Sequence, residues 1–328
     1  MAGPAGSLLP SFRPAVQDRA EIVTSPATMS ARDSTSPYAL GSTDTEHERL
    51  IRQAGYLAPL TERLFHEAGV GPGQRVLDLG SGVGDVAMLA ARLVGPGGEV
   101  VGVERDSRSI VRARTRVSAA GLTNVSFTES DVSEVQSSKP FDAAVGRFIL
   151  QFVSDPVAVL RCLSRLIRPG GVLVFQEVSY APFLALSARL PLWSATATLI
   201  HQVLCRAGAK TEIGIELNQL FQEAALPPPA MRMEMLLGCD PDFTRWTHDL
   251  LCSLLPHIQR QSLSLERIGD FSTLPERIQA EVAASKTVVP FVALVGAWSR
   301  KPTGEASLQQ FATKAGVVLG DFLPESEN

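Results

Sequence analysis

Between Thr43 and Phe65 the apolar residues Leu50, Ile51, Ala54, Leu57, Leu60, Leu64 and Phe65 recur at steps of three and four. That spacing lines one face of a helix. Gly69, Gly71, Pro72 and Gly73 end it. From there short apolar runs alternate with amphipathic stretches. The pattern predicts strands over Arg75–Leu79, Val100–Glu104, Val125–Glu129, Phe141–Val145 and Val172–Glu177. It predicts helices over Val83–Leu93, Ser109–Ala120 and Pro156–Ile167, with turns at Gly95–Gly98 and at Pro169-Gly170-Gly171. Short strands, apolar throughout and separated by helices, imply a parallel sheet covered on both faces.

Past Glu177 the alternation stops. Phe183–Ala207 and Gly214–Ala225 read as helices, and Pro227-Pro228-Pro229 breaks the second. Met231–Leu237 reads as a strand, Asp242–Arg260 and Pro275–Ala284 as helices, and Val288–Trp298 as β-rich despite Pro290. A late strand pair divided by a helical insertion would complete the sheet and add a lid. The expected division is a tail over residues 1–37, a domain over 38–300 and a second tail over 301–328. Within the domain, 43–178 forms the core, and 179–230 with 238–287 the helical lid. The first tail is rich in Ser, Pro, Ala and Thr, a composition that buries little apolar surface. Gln309–Leu319 could form a short helix in the second.

Composition narrows the function classes. The 328 residues are 45% hydrophobic and 20% charged, with a formal net charge of −4. No basic excess is present to hold a nucleic-acid backbone or an anionic membrane. Mean hydropathy is +0.11, slightly apolar, yet no uninterrupted apolar run reaches the ~18 residues of a membrane span. The surplus must lie in a core or line a pocket. The four cysteines, Cys162, Cys205, Cys239 and Cys252, show neither zinc nor disulfide spacing, which suggests a reducing, cytoplasmic location. No metal is expected.

The chemistry concentrates in Val76-Leu77-Asp78-Leu79-Gly80-Ser81-Gly82-Val83-Gly84, a strand running through a glycine-rich turn into a helix. Such glycines let a ligand approach main-chain N–H groups. A dinucleotide site would want G-x-G-x-x-G, but Asp85 occupies the last glycine position. Asp78, two residues ahead of the loop, could hold a cationic amine, which a pyrophosphate site would not want. Glu104 ends the second strand, where a carboxylate can accept from ribose hydroxyls. Asp131, after the third strand, can accept from an adenine amine, with Val132 against the ring. Together these acids describe an adenosine with a positive appendage and no phosphate.

VLDLGSGVG, VVGVER, ESDV, FDAAVGRFIL and RPGGVLVFQEV, in that order, resemble the class I S-adenosylmethionine-dependent methyltransferases. Within that superfamily the chain looks most like the small-molecule branch that holds ubiquinone and menaquinone C-methyltransferases. The resemblance implies an α/β fold with a Rossmann-like, seven-stranded, mostly parallel sheet and S-adenosylmethionine as cofactor. It implies that Asp78, Gly80, Ser81, Gly82, Gly84, Glu104, Arg105, Asp131 and Val132 bind it, with Gly146, Arg147 and Gln151 at the methionine end. Arg147 would pair with a cofactor carboxylate or make a surface ion pair. Tyr38 and Gln53 could fold over the cofactor.

A small apolar acceptor of aromatic, polyketide or prenyl type, from specialised metabolism, is expected. Its wall would be Phe148, Phe152, Trp193 and Trp246, although an apolar stripe at helical spacing also makes plain core. Glu177, ending the fifth strand, is the base candidate, or else fixes a loop or a helix N-terminus. His201 is a second catalytic candidate, and His248 a third histidine in the lid. A non-catalytic or protein-directed regulator on the same fold remains an alternative reading. A nicotinamide oxidoreductase is disfavoured by Asp78 and Asp85. The partners expected are the small acceptor and, as an option, a second copy of the chain, without nucleic acid or stable membrane insertion.

Overall fold

The computed structural model describes residues 40–41 and 43–304. Tyr38, both expected tails and the short helix over Gln309–Leu319 lie outside them, apart from 301–304. In chain order the elements are α1 (Asp44–Ala68), β1 (Arg75–Leu79), α2 (Asp85–Val94), β2 (Glu99–Glu104), α3 (Ser107–Ala119), β3 (Val125–Glu129) and β4 (Phe141–Arg147). A single 3-10 turn, Leu150–Phe152, leads to α4 (Pro156–Leu166) and β5 (Ile167–Ser179). Next come α5 (Tyr180–Ser187), α6 (Pro191–Arg206), α7 (Ile213–Glu223), β6 (Ala230–Glu234) and β7 (Leu237–Gly238). The chain closes with α8 (Pro241–Thr244), α9 (Trp246–Arg260), α10 (Leu274–Ser285), β8 (Val289–Pro290) and β9 (Ala293–Arg300).

The main sheet has seven strands in the order β3-β2-β1-β4-β5-β9-β6. The first five run parallel and β9 runs antiparallel between β5 and β6. Helices α1, α2 and α3 cover one face, where Leu64, Phe65, Ala87 and Ile110 pack on Val76, Val100 and Val174. Helices α4 and α7 cover the other, where Leu160, Leu163, Ile213 and Phe221 pack on Leu77, Val101 and Phe175. Burial on both faces explains why these strands are apolar throughout rather than alternating. The strands reverse their order between β1 and β4, so the cleft at their carboxyl ends opens there.

Several boundaries differ from expectation, each for a local reason. The Pro169-Gly170-Gly171 segment is not a free turn but a bulged start to β5. Phe141 pairs with Ile167 and Ala143 with Val172, and the Gly170 N–H reaches the Lys301 carbonyl at 2.9 Å. Met231–Leu237 divides, giving β6 to the main sheet and β7 to a two-stranded sheet with β8. The stretch expected as one helix over Phe183–Ala207 breaks before Pro191, and α8 breaks from α9 at Arg245. Helix α7, expected in the lid, packs on the sheet instead.

The lid is therefore α5, α6, α8, α9 and α10, built around Phe183, Trp193, Leu251, Leu254 and Ile278. Its α6 has no cap of its own. Glu281 from α10 accepts the N–H groups of Leu192 and Trp193 at 2.8 and 2.9 Å. A carboxylate at that end satisfies two orphan donors and meets the positive end of the helix. Glu281→Ala should cost about 1–2 kcal/mol. The loss should appear in hydrogen exchange as early opening of the first turn of α6, while the α2 amides stay protected. Among the described residues no helix is long and apolar enough to cross a membrane.

Candidate active site

The loop between β1 and α2 bends through three glycines of positive φ, Gly80 at 61°, Gly82 at 50° and Gly84 at 87°. At Gly80 a Cβ would lie 2.5 Å from the Ile149 side chain, so this position needs both the angle and the space. Glu104, at the end of β2, ties the loop down. One of its oxygens accepts the Gly82 N–H at 3.0 Å, and the other accepts the N–H groups of Arg105 and Asp106. A carboxylate has roughly four acceptor positions, so about one remains for a ligand hydroxyl. Asp85, the residue in the last glycine position of a dinucleotide loop, forms an ion pair with Arg116 of α3 at 2.6 Å. Arg105 itself is exposed.

Asp78 sits beneath the loop and is 1% exposed. One oxygen takes a hydrogen bond from the Ala87 N–H, in the first turn of α2. The other, Oδ2, is buried without a partner, and so is the Ser81 hydroxyl. Burial pushes the Asp78 carboxyl well above the usual carboxylate range, and Glu104 and Asp85 add to this. The positive charge of Arg147 and the Ala87 amide oppose it. A buried, unpartnered carboxylate is costly unless a cation completes it.

Arg147 ends β4 and is half-buried. It donates to the Thr61 hydroxyl at 3.2 Å, and Thr61 donates to Gln176 at 2.7 Å. Sequence reasoning assigned nothing to Thr61 or Gln176. They lie 115 residues apart, on α1 and β5, and only the folded register joins them. Gly146 allows the close approach of Phe175 and Ile149, whose atoms would stand 2.8 and 2.9 Å from a Cβ there.

The segment after β4 turns sharply at Phe148, which has a φ of 58°. This left-handed conformation is unfavourable for a bulky residue, and such strain concentrates at functional sites. Three hydrogen bonds hold the turn. The Phe148 N–H reaches the Gln176 carbonyl at 2.9 Å, and Glu177 Oε1 accepts from Ile149 and Leu150 at 3.0 and 2.8 Å. The loop-fixing role of Glu177 is therefore present in the fold. Its second oxygen, Oε2, is buried and unpartnered. Burial raises the carboxyl to about 8, against the pull of the backbone N–H groups. Gln151 is buried beside this turn, and its side chain is 3.4 Å from the Phe148 carbonyl.

The remaining expected residues divide. Asp131 accepts from the N–H and hydroxyl of Ser133, shaping its own turn, with half-buried Val132 packed beside it. His201 is engaged by Thr211 at 3.1 Å and by Cys205 at 3.4 Å, and tilts against Tyr180. Burial lowers its pKa and favours the neutral ring, against the opposing charge of Glu212. His248 lies away from these residues, between Asp249, Cys252 and Phe271. Phe148 and Phe152 are half-buried under the lid. Trp193, expected on the acceptor wall, is 0% exposed and packs edge-on to Phe183 and Trp246, so it belongs to the lid core. Trp246 is 8% exposed, with its ring 4.5 Å from Phe291.

The start of α1 crosses the end of the cleft. On one side His47 meets the Ser109 hydroxyl at 3.1 Å, just after β2. On the other, Glu46 accepts from Ser253 of α9, and Arg52 pairs with Asp249 at 2.8 Å. Arg49 pairs with Glu46 at 2.6 Å and holds Gln53, the residue expected to fold over the cofactor, also at 2.6 Å. The buried face of α1 gave the only sequence signal for this roof, since each contact outside the helix spans more than 60 residues.

A glycine loop under a buried acid, a second acid at the end of β2 and a reversed last strand define a class I methyltransferase fold. The sequence comparisons point the same way. Residues 71–225 match the sequence profile of a methyltransferase domain family. The ubiquinone/menaquinone biosynthesis C-methyltransferase of Edwardsiella ictaluri is 33% identical over 129 residues, 39% of this chain and 51% of that protein. The arsenite methyltransferase of Halobacterium salinarum is 33% identical over 118 residues, 35% of this chain and 30% of that protein. The match thus spans about half the length of the first relative and under a third of the second. Among solved structures, the arsenic(III) S-adenosylmethionine methyltransferase of Chlamydomonas reinhardtii superposes with a TM-score of 0.43 at 20% identity, over 71% of this chain and 65% of that one. Phosphoethanolamine N-methyltransferase 2 of Haemonchus contortus gives 0.46 at 16% identity, over 74% and 52%. Over residues 71–225 the chain is similar to methyltransferase domains, and the relatives it matches are methyltransferases.

Proposed function

We propose that the protein transfers a methyl group from S-adenosylmethionine to a small apolar acceptor of aromatic, polyketide or prenyl type. The observation that carries this reading is the orphaned, buried Oδ2 of Asp78 under the glycine loop. A carboxylate in that state fits a ligand ammonium, and a neighbouring Arg147 fits the carboxylate of the same amino-acid end. The Ser81 hydroxyl and the free acceptor capacity of Glu104 suit the ribose. Asp131 and Val132 would meet the adenine.

S-adenosylmethionine supplies a methyl group already activated by its sulfonium. The tasks left to the chain are to align the acceptor, exclude water and remove a proton where the acceptor carries one. The roof made by α1 and the apolar lid serve the first two. Half-buried Phe148 and Phe152 offer apolar surface beneath the lid. Glu177 has the proton-accepting capacity, with one oxygen fixed by the turn and the other unpartnered. A pKa of about 8 places it near the range in which a base works at neutral pH.

Calorimetry with S-adenosylmethionine should give one site per chain, and incubation with a panel of phenols, polyketides and quinones should release S-adenosylhomocysteine. Absence of cofactor binding would sink the whole reading. Binding without turnover on the panel would sink the acceptor class alone and point to the regulator.

A further inference from the structure

The outer strand β6 carries Met231-Arg232-Met233-Glu234 and continues into Met235. Among the described residues β6 pairs with β9 along one side only, so its other edge ends the sheet there. Open edges usually carry charges that repel a second strand. This edge has one charge of each sign, placed symmetrically about Met233.

We infer that β6 pairs antiparallel with β6 of a second copy of this chain, about a two-fold axis through Met233, joining two seven-stranded sheets. In that register Met233 lies opposite Met233 of the partner subunit. Arg232 lies opposite Glu234 of the partner subunit, and Glu234 opposite Arg232 of the partner subunit. Met231 lies opposite Met235 of the partner subunit. Opposite charges directly across a strand pair stabilise it, and like charges there would oppose it. The segment therefore matches its own reverse, which an isologous contact requires.

The two faces of the strand support this. Met231 and Met233 share the register of Ala297 and Val295, on the side covered by α7. They are 38% and 47% exposed, large for methionines in a strand, and α7 exposes Ile215 at 56%. Arg232 and Glu234 face α1, where they pair with Glu67 and Arg63. Pairing with a second copy would extend these two ion pairs into a network of alternating sign. The edge of one short strand is smaller than the ~800 Å² per partner of a standard interface, so the dimer should form in the micromolar range and not tighter.

Sedimentation velocity on the full chain over a concentration series should show a monomer–dimer equilibrium. Glu234→Arg and Arg232→Glu should each abolish it, with melting curves confirming that both variants fold. Mixing the two variants should restore a dimer containing one of each, which a folding defect cannot imitate. Under mild oxidation Met233→Cys should cross-link to itself, since directly opposed strand residues lie at disulfide distance. Met231→Cys should cross-link only to Met235→Cys. The wild-type chain controls for exposed Cys205 and Cys239. A wild-type chain that stays monomeric overturns the proposal, whether another segment or another protein covers the edge. A dimer that survives both charge reversals overturns it equally.

Discussion

Asp78→Asn should weaken S-adenosylmethionine binding by roughly 30- to 1000-fold, about 2–4 kcal/mol, the cost of removing one partner of a buried charged pair. Asparagine keeps the volume and an oxygen for the Ala87 N–H, so the loop geometry survives. Only the negative charge at Oδ2 is lost. The free protein should respond in the other direction. Burial holds the Asp78 carboxyl well above its usual range, so the folded state favours the protonated form. Its contribution to stability is complete below the ordinary aspartate pKa and is lost as pH rises through the raised one. At and above neutral pH the ligand-free variant should therefore melt no lower than wild type. The wild-type affinity should fall on acidification, because protonated Asp78 cannot pair with an ammonium, and the variant should lack that dependence. Calorimetry at several pH values checks both. Full affinity in Asp78→Asn would place the amine elsewhere.

Glu177→Gln is the second large expectation, because it separates two roles of one side chain. Glutamine retains an oxygen to accept from Ile149 and Leu150, so the strained turn at Phe148 keeps its anchor. Ionisation is lost. With a folded pKa of about 8 against an ordinary 4.5, wild type loses stability between those values as pH rises. At about 1.4 kcal/mol per pH unit, the loss approaches roughly 5 kcal/mol by pH 9. Glu177→Gln should remove this slope and melt higher than wild type in alkaline buffer. Glu177→Ala should be less stable than Glu177→Gln at every pH, by about 1–3 kcal/mol, for want of the turn's acceptor. If Glu177 takes the acceptor's proton, Glu177→Gln should bind cofactor normally yet lose turnover by at least ~100-fold. Unchanged turnover would leave it as the anchor of the turn alone.

How much of this was legible depended on how local the cause is. β1 and β3 fall on their expected residues because a short apolar run between turn signals has few alternatives. The glycine loop, with Asp78 just before it, was legible for the same reason, since strand, turn and helix follow one another within 20 residues. The break between α5 and α6 was missed because the apolar stripe continues across it. Pro191 at the first helical turn was the available signal. The division of Met231–Leu237 between two sheets left no mark, because a strand's sequence does not name its neighbour. Glu177 was half legible. Its place at a strand end was readable, but its bonds to a turn 27 residues earlier were not. Trp193 shows the limit most plainly, since a core tryptophan and a pocket tryptophan have the same spacing along a helix.

The position of β9 has a consequence for synthesis. The last strand of the described chain stands between β5 and β6, not at an edge. As the chain leaves the ribosome, β1 to β5 can assemble with α1 to α4 while the apolar rim of β5 still lacks its neighbour. β6 emerges about 60 residues before the strand that will hold it. Until Arg300 is made, the nascent sheet presents an unfilled seam where two strands must wait for a third. Loss of the last ten described residues would therefore unseat β6, although that strand lies about 60 residues earlier in the sequence.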